Sequence, residues 1–322
     1  MPDVRFLTYY FFMYNPEKMD RLDAYVSSIV SRVRIEKLRD YVRHTEGLRH
    51  GWENYEALEK KAQFIEHTFR AFGLQTDSQY FDFHGRTFRN IVATKRGSDR
   101  NSELILLGAH YDAAWGSPGA DDNASGVAAL LEAACILSEC NLGRTLQFVA
   151  FTLEEPQPQT IHFLIGSDFF ARHAKKSKQP YSAVYILESI GYTDSAGGSQ
   201  FVPFFVRLRV PKTGNFLGII SNAASKFIME SFCATAKDYV PSLITVPYKV
   251  PLSGRLIPET RFSDHASFWN QGYPALMLTD TAMFRNPFYH TSRDRYETLD
   301  FDFLTNVTKA VVSAILIIGN VR

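Results

Sequence analysis

Histidines and carboxylates in this chain recur at one kind of place, just past an apolar run that reads as a strand. His110 and Asp112 follow the run at 103–109, Glu154 and Glu155 follow the run at 145–152, and Glu188 closes the run at 183–187. In open α/β sheets the carboxyl ends of strands are where ligand sites gather. Mixed histidine and carboxylate donors suit a divalent cation such as zinc. Asp112, two residues beyond His110, can accept the second ring N–H and fix the metal-binding tautomer. Two adjacent glutamates allow a division of labour. One binds metal while its neighbour takes a proton from a water whose pKa zinc lowers towards ~7. Asp122, in the glycine-flanked stretch GADDNASG at 119–126, is close enough in sequence to His110 to share a cation with it. Tyr289-His290-Thr291 and Asp294 come late in the chain and add a further donor.

Each piece also has a plainer reading. A lone histidine is more often structural, and paired aspartates at a helix start are commonly N-caps. An exposed glutamate pair is ordinarily solvated, and a charged residue closing an apolar strand needs only a partner or water. The shared placement of all of them is what favours a metal site.

Strand–helix alternation supplies the frame. Residues 20–72 read as helical, with Leu58, Ala62, Ile65, Phe69 and Phe72 at spacings of four and three and Gly73 as the stop. Strands are predicted at 89–94, 103–109, 145–152, 183–187, 243–246 and 275–278. Helices are predicted at 124–139, 169–176, 221–236 and 303–318. In the first of these, Val127, Leu130, Leu131, Ala134 and Leu137 share one face. The run TLQFVAFT is nearly continuous in apolar residues, as in a strand buried on both faces. The pattern predicts an α/β fold: a mixed, mostly parallel central sheet with helices on both faces. Without a Pro/Gly/Ser-rich divider, residues 1–322 read as one domain, with 1–72 as its mainly helical N-terminal part.

Bulk properties exclude several partners. The net charge of +1 comes from 35 basic and 34 acidic side chains, which leaves no electrostatic footprint for nucleic acid or an anionic membrane. No stretch approaches the ~20 apolar residues of a membrane span. Cys135, Cys140 and Cys233 have no ligand spacing, and Cys135 falls in a predicted helix as a small core residue. Cysteine usage favours a reducing, cytoplasmic compartment and leaves secretion open. The apolar stretch 6–14 lacks a small-residue cleavage site after it and reads as a packed N-terminal segment rather than a secretory one.

Taken in order, six stretches resemble the co-catalytic zinc aminopeptidases of metallopeptidase family twenty-eight. They are GAHYD (108–112), GADDNASG (119–126), FTLEE (151–155), ILESIG (186–191), SDHASFWNQGYPAL (263–276) and YHTSRD (289–294). The resemblance implies two zinc ions, with cobalt or manganese as alternatives for such N/O donors. Asp122 would bridge them, His110 and Glu188 would complete one metal's ligands, and Glu155 and His290 the other's. Glu154 would be the general base, Asp112 would orient His110, and Tyr289 would hydrogen-bond the tetrahedral oxyanion. Short peptides or aminoacyl compounds would be the substrates. Glu188 departs from the family's usual aspartate by one methylene. The stretch PQPQTIHFLI after Glu155 is longer than in short aminopeptidases and is expected in the cleft wall. Arg261 lies one position from an arginine of some relatives and receives no role. Asp264 reads as a helix cap, and His265 lies outside the family's ligand set.

Two other functions stay open on the sequence. One is a single-zinc acyl transferase of the glutaminyl cyclase type, which shares the fold. The other is a non-catalytic binding relative.

Overall fold

A computed structural model describes residues 16–99, 103–158, 160, 162–201 and 210–321. The apolar stretch 6–14 lies outside them. Among the described residues, eight strands form one sheet: β1 (Gln75–Phe83), β2 (Arg86–Lys95), β3 (Leu104–His110), β4 (Leu146–Phe151), β5 (Tyr181–Glu188), β6 (Leu217–Ser221), β7 (Thr245–Lys249) and β8 (Ala275–Thr279). Their order across the sheet is β1-β2-β4-β3-β5-β8-β6-β7. The pairings β3–β4, β3–β5, β5–β8 and β6–β7 are parallel, and the other three are antiparallel. The sheet is therefore mixed and mostly parallel, as expected.

Apolar side chains of the central strands alternate between two cores, as the two-residue period of a strand requires. Ile105, Leu107, Phe148 and Ala150 join one core, while Leu106, Val149 and Phe151 join the other. The first core is covered by α3 (Tyr55–Ala71), α4 (Gly126–Ser138), α6 (Lys226–Tyr239) and α8 (Phe301–Ile318), with α1 (Pro16–Val30) and α2 (Ile35–Thr45) outside them. The second core is covered by α5 (Ile165–Lys176) and α7 (His265–Asn270).

Several expectations shift. The helical stretch 20–72 is three helices, interrupted at 31–34 and 46–54. Helix α4 buries not one face but nearly its whole circumference, Ala128, Ala129, Ala133 and Ile136 included, because α2 and α8 close it in from outside. Strands β1 and β6 were not anticipated. β1 is a largely polar edge strand, paired to β2 through a tight turn at His84-Gly85. The helix expected from 221 starts at Lys226, because 217–221 is taken by β6. Among the described residues, α8 alone is long and apolar enough to cross a membrane, and 78% of it is buried in this core. Cys140 is buried, Cys135 and Cys233 are half-buried, and all three are free thiols.

Parallel pairing aligns the strand ends that matter. His110 sits opposite Phe151 at the ends of β3 and β4, and Glu188 opposite Thr279 at the ends of β5 and β8. Every loop bearing a predicted ligand thus leaves the sheet at the same edge.

Candidate metal centre

At that edge the structure brings together His110, Asp122, Glu154, Glu155, Glu188 and His290. His110 Nε2 lies 3.1 Å from Asp122 Oδ1, 3.5 Å from Glu188 Oε2 and 3.9 Å from Glu154 Oε2. His290 Nε2 lies 3.0 Å from Asp122 Oδ2 and 3.2 Å from Glu155 Oε2. Asp122 therefore faces one histidine with each of its oxygens. Two groups, His110–Glu154–Glu188 and Asp122–Glu155–His290, each hold their candidate ligand atoms within 4.8 Å of one another.

The polar atoms here lack the partners that burial normally requires. Both ring nitrogens of His110, Asp122 Oδ1 and Glu155 Oε1 are buried without a hydrogen bond. A cation drawn to such N/O donors would satisfy them, so the residues fit a divalent metal. The charge balance points the same way. Burial pushes Glu154 well above the usual carboxylate range, with Glu188, Glu155 and Asp264 adding to it and His110 opposing. Burial likewise lifts Glu155 to about 7, with Asp122 adding to the rise, and raises Glu188. Burial opposes charge on His290, but Glu155 and Asp122 outweigh it and push its pKa up to about 11. His110 is held well above its ordinary value in the same manner, chiefly by Glu188 and Glu154.

Neighbours fix each piece. The Asp112 carboxylate accepts the backbone N–H of Glu154 and of Glu155, both at 3.1 Å, and its Oδ1 stands 3.5 Å from His110 Nδ1. One side chain thus ties the loop after β3 to the loop after β4. Asp122 sits in the turn 120–125, whose backbone N–H groups at Asp121 and Asp122 donate to the Asp294 carboxylate at 2.9 and 3.1 Å. The turn opens at Gly119, whose φ is +60; a Cβ there would stand 2.2 Å from Asp122 O, so no other residue fits. Asp121 and Asn123 do more than cap a helix. Asp121 accepts from Gly191 N–H and Asn286 Nδ2, and Asn123 bonds both Leu187 O and Ser189 N–H, fastening the turn to the end of β5. The Asp122–Asn123 peptide is cis. The Glu188 carboxylate is held by the Ser263 hydroxyl at 2.8 Å.

Tyr289 stacks on His290 with ring centroids 3.9 Å apart, and burial together with Asp122 and Glu155 keeps its hydroxyl protonated far above neutral pH. Asp264 corrects the sequence reading: it starts α7 but makes no cap hydrogen bond. Its carboxylate is fully buried with both oxygens free of hydrogen bonds, and burial lifts it to about 7 while the nearby His110 opposes. His265 is a core histidine, bonded to Thr260 O at 2.9 Å and held neutral by burial. From the long stretch after Glu155, Phe163 and Leu164 line a cavity of about 330 Å³ with Arg261, Phe262, Ser267 and Asn270. Asp294 supports the Asp122 turn rather than facing a candidate ligand atom. Nothing in the spacing signalled it beyond its place in the last motif.

Residues 90–315 match Peptidase family M28. An uncharacterised Escherichia coli protein, YfbL, is 34% identical over 274 residues, covering 81% of this chain and 80% of that protein. A probable leucine aminopeptidase of Trichophyton verrucosum is 27% identical over 69% of this chain, which spans 54% of that protein. Among solved structures, the Legionella pneumophila LapA aminopeptidase superposes with a TM-score of 0.70 at 18% identity, over 92% of this chain and 75% of that one. A Bacteroides thetaiotaomicron glutaminyl cyclase does so with 0.66 at 18% identity, over 88% and 97%. These two likenesses are of fold. The sequence match spans every candidate ligand described above, and by it the chain belongs to peptidase family M28.

Proposed function

We propose that this chain is a metal-dependent aminopeptidase acting on short peptides, with two zinc ions in one site. His110 and Glu188 would hold one ion with Asp122 Oδ1, and Glu155 and His290 the other with Asp122 Oδ2. The observation that carries this is the position of Asp122, with an imidazole Nε2 3.1 Å from one oxygen and another 3.0 Å from the other. Zinc in such a site supplies a water of lowered pKa and a polarised carbonyl. Glu154, which ligates neither ion in this reading, takes the proton from the attacking water and delivers it to the leaving amine. Its burial, with Glu188, Glu155 and Asp264 adding to it, raises its proton affinity above that of an ordinary carboxylate. The Tyr289 hydroxyl, kept protonated, donates to the oxyanion that forms on the substrate carbonyl. Cobalt or manganese would fit the same donors.

The test is Glu154→Gln, with zinc counted per chain and products followed by mass. The expected outcome is two zinc ions retained and stepwise loss of N-terminal residues abolished, by about 10²–10⁴-fold if the base supplies a typical share. A variant as active as the parent would sink the assignment. One zinc per chain with ammonia lost from N-terminal Gln would decide for the cyclase chemistry. A chain that takes up no zinc would decide for a binding protein.

A further inference from the structure

The loop between α2 and α3 lies outside the stretch that matches the family, yet it touches every loop that carries a candidate ligand except the one after β5. Arg49 is its centre. The side chain is buried to 1% exposure, and its planar fork donates only to backbone carbonyls. Nε donates to Tyr111 O at 2.8 Å, one residue beyond His110. One terminal nitrogen donates to Gly119 O at 2.8 Å, where the Asp122 turn begins. The other donates to Pro118 O and to Gly47 O. Neighbouring residues extend the grip. Gly47 N–H donates to Pro118 O at 2.8 Å, His50 Nε2 lies 3.3 Å from Pro156 O just past Glu155, and Glu46 accepts from Tyr296 N–H at 2.9 Å.

A guanidinium is suited to this place. It can bind several carbonyls at once in one plane, which a lysine ammonium cannot. A buried cation also needs counter-charge, and Asp112 and Asp122 lead the carboxylates that provide it, ahead of Asp294 and Glu155. They are carboxylates of the candidate site and its supports.

We propose that Arg49 is a positioning residue of the metal site: it fixes the His110 loop and the Asp122 turn relative to each other before metal binds. The proposal rests on the two-metal reading. Preorganised ligands lose less conformational freedom on binding, so the cost of removing Arg49 falls on metal affinity.

The experiment measures zinc dissociation constants by competition with a chromophoric chelator, well below the melting temperature, for the parent, Arg49→Met, Arg49→Lys and Leu304→Ala. Leu304 is a fully buried core residue of α8 and serves as the control for stability lost elsewhere. The expected result is a loss of about 10–100-fold in zinc affinity for Arg49→Met, the range seen when support of a metal ligand is removed. Arg49→Lys should keep the charge and recover only part of the affinity, and Leu304→Ala should bind as the parent does. A folded Arg49→Met with parental affinity overturns the proposal, as does an equal loss in Leu304→Ala. If Arg49→Met fails to fold, Arg49→Lys is judged by the same criterion. A parent that binds no zinc overturns the metal reading itself, an outcome distinct from parental binding in the variants.

Discussion

Asp112 accepts two backbone N–H groups from adjacent residues while its Oδ1 faces an imidazole, so one carboxylate sets three things at once. It stands 3.5 Å from His110 Nδ1, on the side of the ring away from Asp122, and it fixes the backbone from which Glu154 and Glu155 project. An amide at this position would point a donor at a peptide N–H or at the ring. Asp112→Asn is therefore expected to lower zinc affinity by about 10–100-fold. It should also lower kcat, because Glu154 is displaced with its backbone. Chelator competition checks the first effect and steady-state kinetics at saturating zinc the second; a kcat unchanged under saturation would leave Asp112 with the imidazole alone. Asp294 plays the matching part for the Asp122 turn, accepting N–H groups from Asp121 and Asp122. Both carboxylates support candidate ligands through the main chain, a contribution that shows in geometry, whereas the spacing of Asp112 from His110 pointed only to the ring.

The elements that carry these residues differ in how plainly the sequence declares them. β3, β4 and β5 were legible because burial on both faces demands a nearly continuous apolar run, and the histidine and glutamates stand out where each run stops. β1 was not, because an edge strand with one wet face and a polar sequence lacks that pattern. The break between α2 and α3 was also missed, since 46–54 continues the charged and aromatic composition of its flanks. Arg49 went unseen for a related reason: its partners stand 62 and 70 residues away and are carbonyl groups, which every residue has. Asp264 looked like a cap because helix starts usually use aspartate that way, whereas burial beside the site takes its side chain elsewhere. Asn90 shows how the elements are locked together. From β2 it accepts Thr152 N–H at 3.2 Å and donates to Gly166 O at 2.9 Å, joining the end of β4 to the start of α5. Gly166 is required there, since a Cβ would stand 2.2 Å from Thr152 O. Asn90→Ala leaves a buried donor and a buried acceptor unpaired, and is expected to cost about 2–4 kcal/mol of unfolding free energy. Urea titration checks this; a loss under half a kcal/mol would mean that the strand end has other means of support.

Across the whole molecule, the site is a concentration of buried acid that the fold tolerates by holding protons. Burial is the leading cause in each case, pushing Glu155, Asp264 and Asp294 to about 7 and Asp280 to about 6, and raising Glu154 and Glu188 in the same direction. In the unfolded chain such carboxyls titrate near ~4. Without metal, the folded chain therefore binds more protons than the unfolded one between about pH 4 and 7. The stability that Glu155, Asp264, Asp294 and Asp280 contribute is complete below ~4 and is lost as pH rises through about 6 for Asp280 and about 7 for the other three. His290 adds to the trend, since its contribution is complete below ~6.5 and is lost as pH rises through about 11. Asp122 is held well below the carboxylate range by His110 and His290 despite its burial, so its contribution is constant across this window. Zinc reverses the preference, because it binds ionised carboxylates and neutral imidazoles and so binds more tightly as pH rises. At a thousandfold excess over its Kd, zinc stabilises the folded chain by about 4 kcal/mol, and a tighter Kd at higher pH enlarges that figure. The melting temperature of the chelator-treated protein should fall from pH 5 to pH 8, while that of the zinc-loaded protein falls less or rises. Scanning calorimetry at fixed zinc excess measures the gap at each pH. Two curves running parallel would mean that protons and zinc do not compete for the same groups, and that the buried acid serves the fold rather than a metal.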